Sequence, residues 1–162
     1  MGVLITGGTK GIGLAIAEHL AARGAPGGEP LVLGWHADGE AADAARRRIQ
    51  ALGAEASAVQ GDVGRPQDCA RLVRAAAATG GGPLHIVHCA AAIWPTALLE
   101  ADLDAFEGAM RTNGLSLLYL VQAARPWLAP GSSIVFITSA GARTVLANYA
   151  ALGCGKALAE SL

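Results

Sequence analysis

The chain has 162 residues, enough for one domain with a real core, and its formal net charge of −1 removes nucleic acid from the expected partners. Hydrophobic residues reach 52% against only 4% aromatics, and much of the apolar content is alanine, the composition of packed helices. Three cysteines (Cys69, Cys89 and Cys154) without framework spacing point to a reduced, cytoplasmic protein, and no basic run or long apolar segment points to a membrane.

Residues 2–13 organise the rest of the chain. Val3-Leu4-Ile5 is a short apolar run suited to a fully buried strand, Thr6 to Gly13 turn the chain, and residues 14–23 read as an amphipathic helix. Glycine tolerates positive φ in such a turn and lets backbone approach a pyrophosphate. The helix behind it aims free N–H groups and a positive dipole end at that anion. Residues 23–30 are a turn-rich connector, Leu31–Trp35 a second strand, and residues 40–52 a helix stopped by Gly53. Residues 54–60 form a third strand, left through Gly61-Asp62-Val63. Pro66 opens a helix that runs to Thr79, and Gly80-Gly81-Gly82-Pro83 breaks it. Residues 84–89 are a fourth strand, 103–128 a long helix or a broken pair, and 133–138 a fifth strand. A last helix begins near Asn148 and runs to the end. Strands alternating with helices specify an α/β fold, a doubly wound parallel sheet of Rossmann-like type, in one dinucleotide-binding domain over residues 1–162.

The opening turn is not G-x-G-x-x-G but Gly7-x-x-x-Gly11-x-Gly13, preceded by Thr6. This form resembles the short-chain dehydrogenase/reductase family, in which it holds NAD or NADP, and the resemblance covers essentially the whole chain. Carried over residue by residue, it implies cofactor contacts at Thr6, Gly7, Thr9, Lys10, Gly11, Ile12 and Gly13. Further contacts are implied at His36, at Asp62 with Val63, at Cys89 with Ala90, and at Tyr149 and Lys156. Asp62 matches the acid that accepts from the adenine amino group. Lys10 resembles the basic residue that favours the 2′-phosphate. The second strand runs out through Gly34-Trp35-His36-Ala37-Asp38 with no acid directly at its end, so NADPH is expected over NADH. Family members continue through further strands and a substrate-covering loop, so the chain is expected to lack the C-terminal strands.

The implied catalytic residues are Asn113, Ser139, Tyr149 and Lys156. Asn113 matches the residue that holds a proton-relay water, and Ser139 the one that bonds the substrate carbonyl. The usual Tyr-x-x-x-Lys is absent because Leu152 stands four before Lys156. Tyr149 lies three residues earlier, read as one turn back on roughly the same helix face. The resulting Tyr-x6-Lys resembles the NADPH-dependent enoyl-[acyl-carrier-protein] reductase III branch. Hydride delivered to the β-carbon of an enoyl thioester builds charge on the thioester oxygen, and a donor moved by about 5 Å, one helical turn, suits that oxygen. A small or carrier-bound acyl substrate is implied, as in fatty-acid or polyketide synthesis. So is a homo-dimer or tetramer through the helices at 103–128 and 148–162. Keto reduction is the alternative chemistry. A non-catalytic nucleotide-binding or partner subunit is the alternative class, because His88-Cys89-Ala90-Ala91 replaces the family's Asn-Asn-Ala-Gly. His88 supplies one hydrogen bond there and Cys89 is a poor substitute. Residues Trp35, Trp94 and Trp127 read as core or interface packing, and His19, His36 and His85 as solvent-facing or structural.

Overall fold

The structure, a computed structural model, describes residues 2–24 and 28–162, so residues 25–27 of the expected connector lie outside it. Five parallel strands form one sheet in the order β3-β2-β1-β4-β5: β1 Gly2–Thr6, β2 Leu31–Trp35, β3 Ala56–Gln60, β4 Leu84–His88 and β5 Ser133–Phe136. Helices α1 Gly11–Ala22, α2 Gly39–Ala51, α3 Pro66–Ala77, α4 Leu103–Met110, α5 Ser116–Ala124 and α6 Ala150–Ser161 complete it.

Alternation along the central strands sorts side chains to two cores. Val3, Ile5, Leu31 and Leu33 pack with Ala17, Ala21, Ala45 and Ile49 beneath α1 and α2. Leu4, Val32 and Ile86 pack on the opposite face with Leu72, Val73, Leu120 and Ala124 of α3 and α5. Both faces of β1 are therefore apolar, which is why its sequence is a continuous hydrophobic run. Each fully buried aliphatic side chain contributes roughly 1.5–3 kcal/mol. At the edge, β5 leaves Val135 49% exposed. Strand order reverses between β1 and β4, so the crevice for a ligand opens at the carboxyl ends of those two strands.

Element bounds agree with the sequence reading within a residue or two, with three consequential differences. The first helix starts at Gly11 rather than Leu14, so the last glycines of the turn are already its first turn. The segment read as a long helix or a broken pair is the broken pair, and the break is a π turn over Arg111–Leu115, which the sequence reading did not specify. The last helix starts at Ala150, because Asn148 takes a left-handed conformation (φ 57°) and Tyr149 a non-helical one (φ −114°). Asn is among the residues that tolerate that region. Tyr149 thus precedes α6 instead of riding on its first turn.

The π turn and α6 cross at backbone distance. A Cβ at Gly155 would lie 2.5 Å from Asn113 Cβ, and one at Gly114 would lie 2.8 Å from the Gly155 carbonyl oxygen. Gly155→Ala should lower stability by about 1–3 kcal/mol through overpacking, read as an earlier denaturant midpoint; an unchanged midpoint would mean the two elements are free to part.

Candidate active site

A cleft of about 1000 Å³ opens where the strand order reverses, and nearly every cofactor residue expected from sequence lines it. Thr6, Gly7, Thr9, Lys10, Gly11, Ile12 and Gly13 form its floor. His36, Asp62, Val63, Cys89, Ala90 and Lys156 stand around it. The glycine turn is tight for a reason. A Cβ at Gly13 would fall 2.2 Å from the Gly7 carbonyl oxygen, and one at Gly7 (φ 64°) would come within 3.0 Å of the Ala90 backbone. Backbone meets backbone there, and no side chain fits between.

The α1 N-terminus has no side-chain cap and no acid in its first turn, whereas Asp38 caps α2 by accepting from the Ala41 N–H at 2.9 Å. Uncapped N–H groups at Gly11–Gly13 facing a cleft are donors without partners, the arrangement that takes a phosphate. A dinucleotide fits this floor. Asp62 lines the cleft, its Oδ1 accepting from Gly64 N–H at 2.9 Å. The sequence reading missed Trp35, Thr112 and Leu152 as further lining residues. Trp35 ends β2, a position that signals cleft access as readily as packing.

Lys10 and Asp38, both on the cleft, form an exposed ion pair. The hydrogen bond from Lys10, then that from Ala41, holds the Asp38 carboxyl below its usual range.

The inner end of the cleft carries Lys156, only 3% exposed. Its Nζ donates to the Ile137 carbonyl at 2.8 Å and lies 4.3 Å from the Phe136 ring centroid. Burial pulls its pKa down to about 8, against a smaller raising influence from the neighbouring Cys89. Burial pushes the Cys89 thiol up.

Three expected residues are not on the cleft wall, and each has a physical reason. Asn113 is fully buried, and its amide is spent on one partner: Oδ1 accepts from Ala92 N–H and Nδ2 donates to Ala92 C=O, both at 2.9 Å. Its side chain ties down the loop after β4. Tyr149 lies in a neighbouring pocket of about 400 Å³ with Leu98, Gly141, Val145, Leu146 and Cys154. The left-handed Asn148 removes Tyr149 from the α6 register, and Tyr149 is not among the residues that line the large cleft. Leu152, four before Lys156, fills the cleft wall in its stead. Ser139 follows Tyr149: the two hydroxyls are 3.1 Å apart, and Ser139 Oγ also accepts from Gly141 N–H at 3.3 Å. Glu160 clamps this loop to α6, accepting from Thr138 Oγ1 at 2.5 Å and Arg143 Nε at 2.9 Å. Among the described residues no helix is long and apolar enough to cross a membrane.

The comparisons agree with this geometry. A family model described as enoyl-(acyl carrier protein) reductase matches residues 7–162. The L-rhamnose 1-dehydrogenase (NAD(P)(+)) of a Sphingomonas species is 35% identical over 144 residues, 86% of this chain and 55% of that protein. The short-chain dehydrogenase/reductase FrzI of a Cladobotryum species is 31% identical over 159 residues, 98% of this chain and 60% of that protein. A short-chain dehydrogenase from Burkholderia cenocepacia, solved in complex with NADP, superposes with a TM-score of 0.87 at 32% identity, over 97% of this chain and 63% of that one. The chain spans about half the length of the curated relatives it matches, between 46% and 60% of three of them. With a family model matching nearly the whole chain, and short-chain dehydrogenases/reductases above 30% identity in both sequence and structure, the chain belongs to the short-chain dehydrogenase/reductase family.

Proposed function

We propose that the chain binds NADPH in the large cleft and reduces an acyl-thioester substrate of enoyl type. The observation that carries this reading is the division of labour at α6: Lys156 in the cleft with Leu152 beside it, and Tyr149 in the adjoining pocket with its hydroxyl 3.1 Å from that of Ser139. When bound, the nicotinamide supplies hydride. Lys156 holds positive charge at the inner end of the cleft, while Leu152 places beside it an aliphatic side chain that has no proton to give. Tyr149, with Ser139, offers an O–H to an oxygen displaced from the carbon that takes hydride, as in a thioester whose β-carbon is reduced. A ketone, which needs its proton beside the hydride-accepting carbon, suits this arrangement less well. The helices α4 to α6 are proposed to pair in a dimer or tetramer, and Val121, Trp127 and Leu128 are apolar residues left exposed for such contact.

A second reading, nucleotide binding without turnover, is favoured by Tyr149 standing outside the cleft. NADPH and crotonyl-type thioester assays separate the two: binding with turnover supports the first, and binding without turnover the second.

Tyr149→Phe and Lys156→Ala should each lower NADPH-dependent turnover of that thioester by about 10²-fold or more. The Lys156 ammonium is present below about pH 8 and lost above it. Wild-type kcat/KM should therefore fall as pH rises through that value. Wild-type rates in both variants would remove the mechanism.

Cofactor choice yields a further expectation. A 2′-phosphate drawn to Lys10 must displace Asp38 from its ion pair and then face that carboxylate. Asp38→Asn retains a capping side chain for α2 but removes the repulsion. It should raise affinity for NADPH relative to NADH by about fivefold or more, the equivalent of ~1 kcal/mol between exposed charges. Paired fluorescence titrations check this, and an unchanged ratio would place the 2′-phosphate elsewhere.

A further inference from the structure

Behind the cleft, the last residues of β1 and β4 meet at a buried imidazole. His88, Thr6 and Ser116 have no solvent exposure. His88 Nδ1 lies 2.6 Å from Thr6 Oγ1, and Nε2 lies 2.7 Å from Ser116 Oγ. Counting protons fixes the direction of each bond. The single hydroxyl proton of Ser116 goes to the Thr112 carbonyl at 2.7 Å, so its oxygen accepts from His88 and Nε2 carries the ring proton. Nδ1 then offers only a lone pair, and Thr6 donates to it. The Thr6 oxygen in turn accepts the Ala90 N–H at 3.3 Å. The other tautomer would leave the Thr6 proton without an acceptor and set Nε2 against an oxygen whose proton is already placed. Burial, reinforced by the charge of Lys156, lowers the His88 pKa to about 3, so the ring is neutral.

His88 and Ser116 are absent from the cleft wall, but the residues at both ends of the chain of bonds, Thr6 and Ala90 on one side and Thr112 on the other, line it. Thr6 opens the glycine turn, Ala90 is the backbone against which Gly7 is pressed, and Thr112 sits in the π turn. We propose that His88 is a positioning residue, whose one-directional relay Ala90 → Thr6 → His88 → Ser116 → Thr112 braces the glycine turn against the π turn and so sets the width of the cofactor cleft. It takes no part in proton transfer to substrate. An asparagine amide at this place has the same polarity but a shorter reach. The imidazole bridges its two hydroxyl partners as a rigid plane, with 2.6 and 2.7 Å bonds at either end.

The functional half of this role rests on the proposed NADPH binding; the tautomer does not. Nitrogen-15 spectra of the chain at neutral pH should show His88 neutral and protonated at Nε2 alone, with its hydrogen-bonded N–H signal lost in Ser116→Ala. A ring protonated at Nδ1, on both nitrogens, or averaging between tautomers would overturn the relay. In NADPH titrations, His88→Phe keeps a ring without polar atoms and should weaken binding by about tenfold. His88→Gln, which again accepts from Thr6 and donates to Ser116, should recover most of that loss, with thermal unfolding followed in parallel. Equal loss in both variants, or none in His88→Phe, overturns the positioning role. If wild-type chain does not bind NADPH, the cofactor reading and the positioning role fall together, while the spectra still decide the tautomer.

Discussion

Backbone must pass against backbone at the end of β1, and the rest of the site depends on that approach. Gly13 lies so close to the Gly7 carbonyl, and Gly7 so close to Ala90, that any Cβ would overlap main-chain atoms. The closeness brings the α1 N-terminus directly onto the strand ends, with no capping side chain between its N–H groups and the cleft. An α-helix entered through a capped residue, as α2 is through Asp38, has already satisfied one of those donors with a carboxylate and offers an anion less. The same strand end carries Thr6, so the tightest backbone contact and the buried hydrogen-bond relay share one residue.

The architecture was legible in the sequence because burial on both sides leaves a plain record. Val3-Leu4-Ile5 and Leu31-Val32-Leu33 are continuous apolar runs because neighbours on each side alternate between two cores. The glycines of the turn were equally legible, since only glycine permits that proximity. Other features left weaker traces. Residues Arg111-Thr112-Asn113-Gly114-Leu115 contain no proline, their Asn-Gly pair marks a break without saying what kind, and a π turn needs only one extra residue in the register. What drives it is tertiary: Asn113 reaching Ala92, and Gly114 fitting beneath Gly155. The hydrogen-bonding partners of His88 were likewise hidden, because they sit 82 and 28 residues away in sequence.

Asn148 shows how one backbone angle redistributes a site. A helix begun at Asn148 would carry Tyr149, Leu152 and Lys156 on one face, at offsets of three and four. With Asn148 left-handed, only Leu152 and Lys156 share that face, and both line the cleft. Tyr149 instead packs its ring over Gly141, where a Cβ would come within 2.5 Å of it, and bonds Ser139. Helical spacing in sequence is therefore a statement about side-chain direction only where the helix has already begun.

The inner end of the cleft concentrates opposing demands on one stretch of chain. Lys156 is buried, which costs its charge; its compensation is the Ile137 carbonyl and the face of Phe136, both at the end of β5. Phe136 is shared, since its ring also lies 5.5 Å from that of His88. Two nitrogen-bearing side chains, one charged and one neutral, thus flank a single aromatic ring. Their separation of roles follows from partners: His88 has a hydroxyl at each nitrogen and no reason to charge, whereas Lys156 has a carbonyl and a π face that favour the ammonium. The neutral member braces the cleft from behind, and the charged one faces into it.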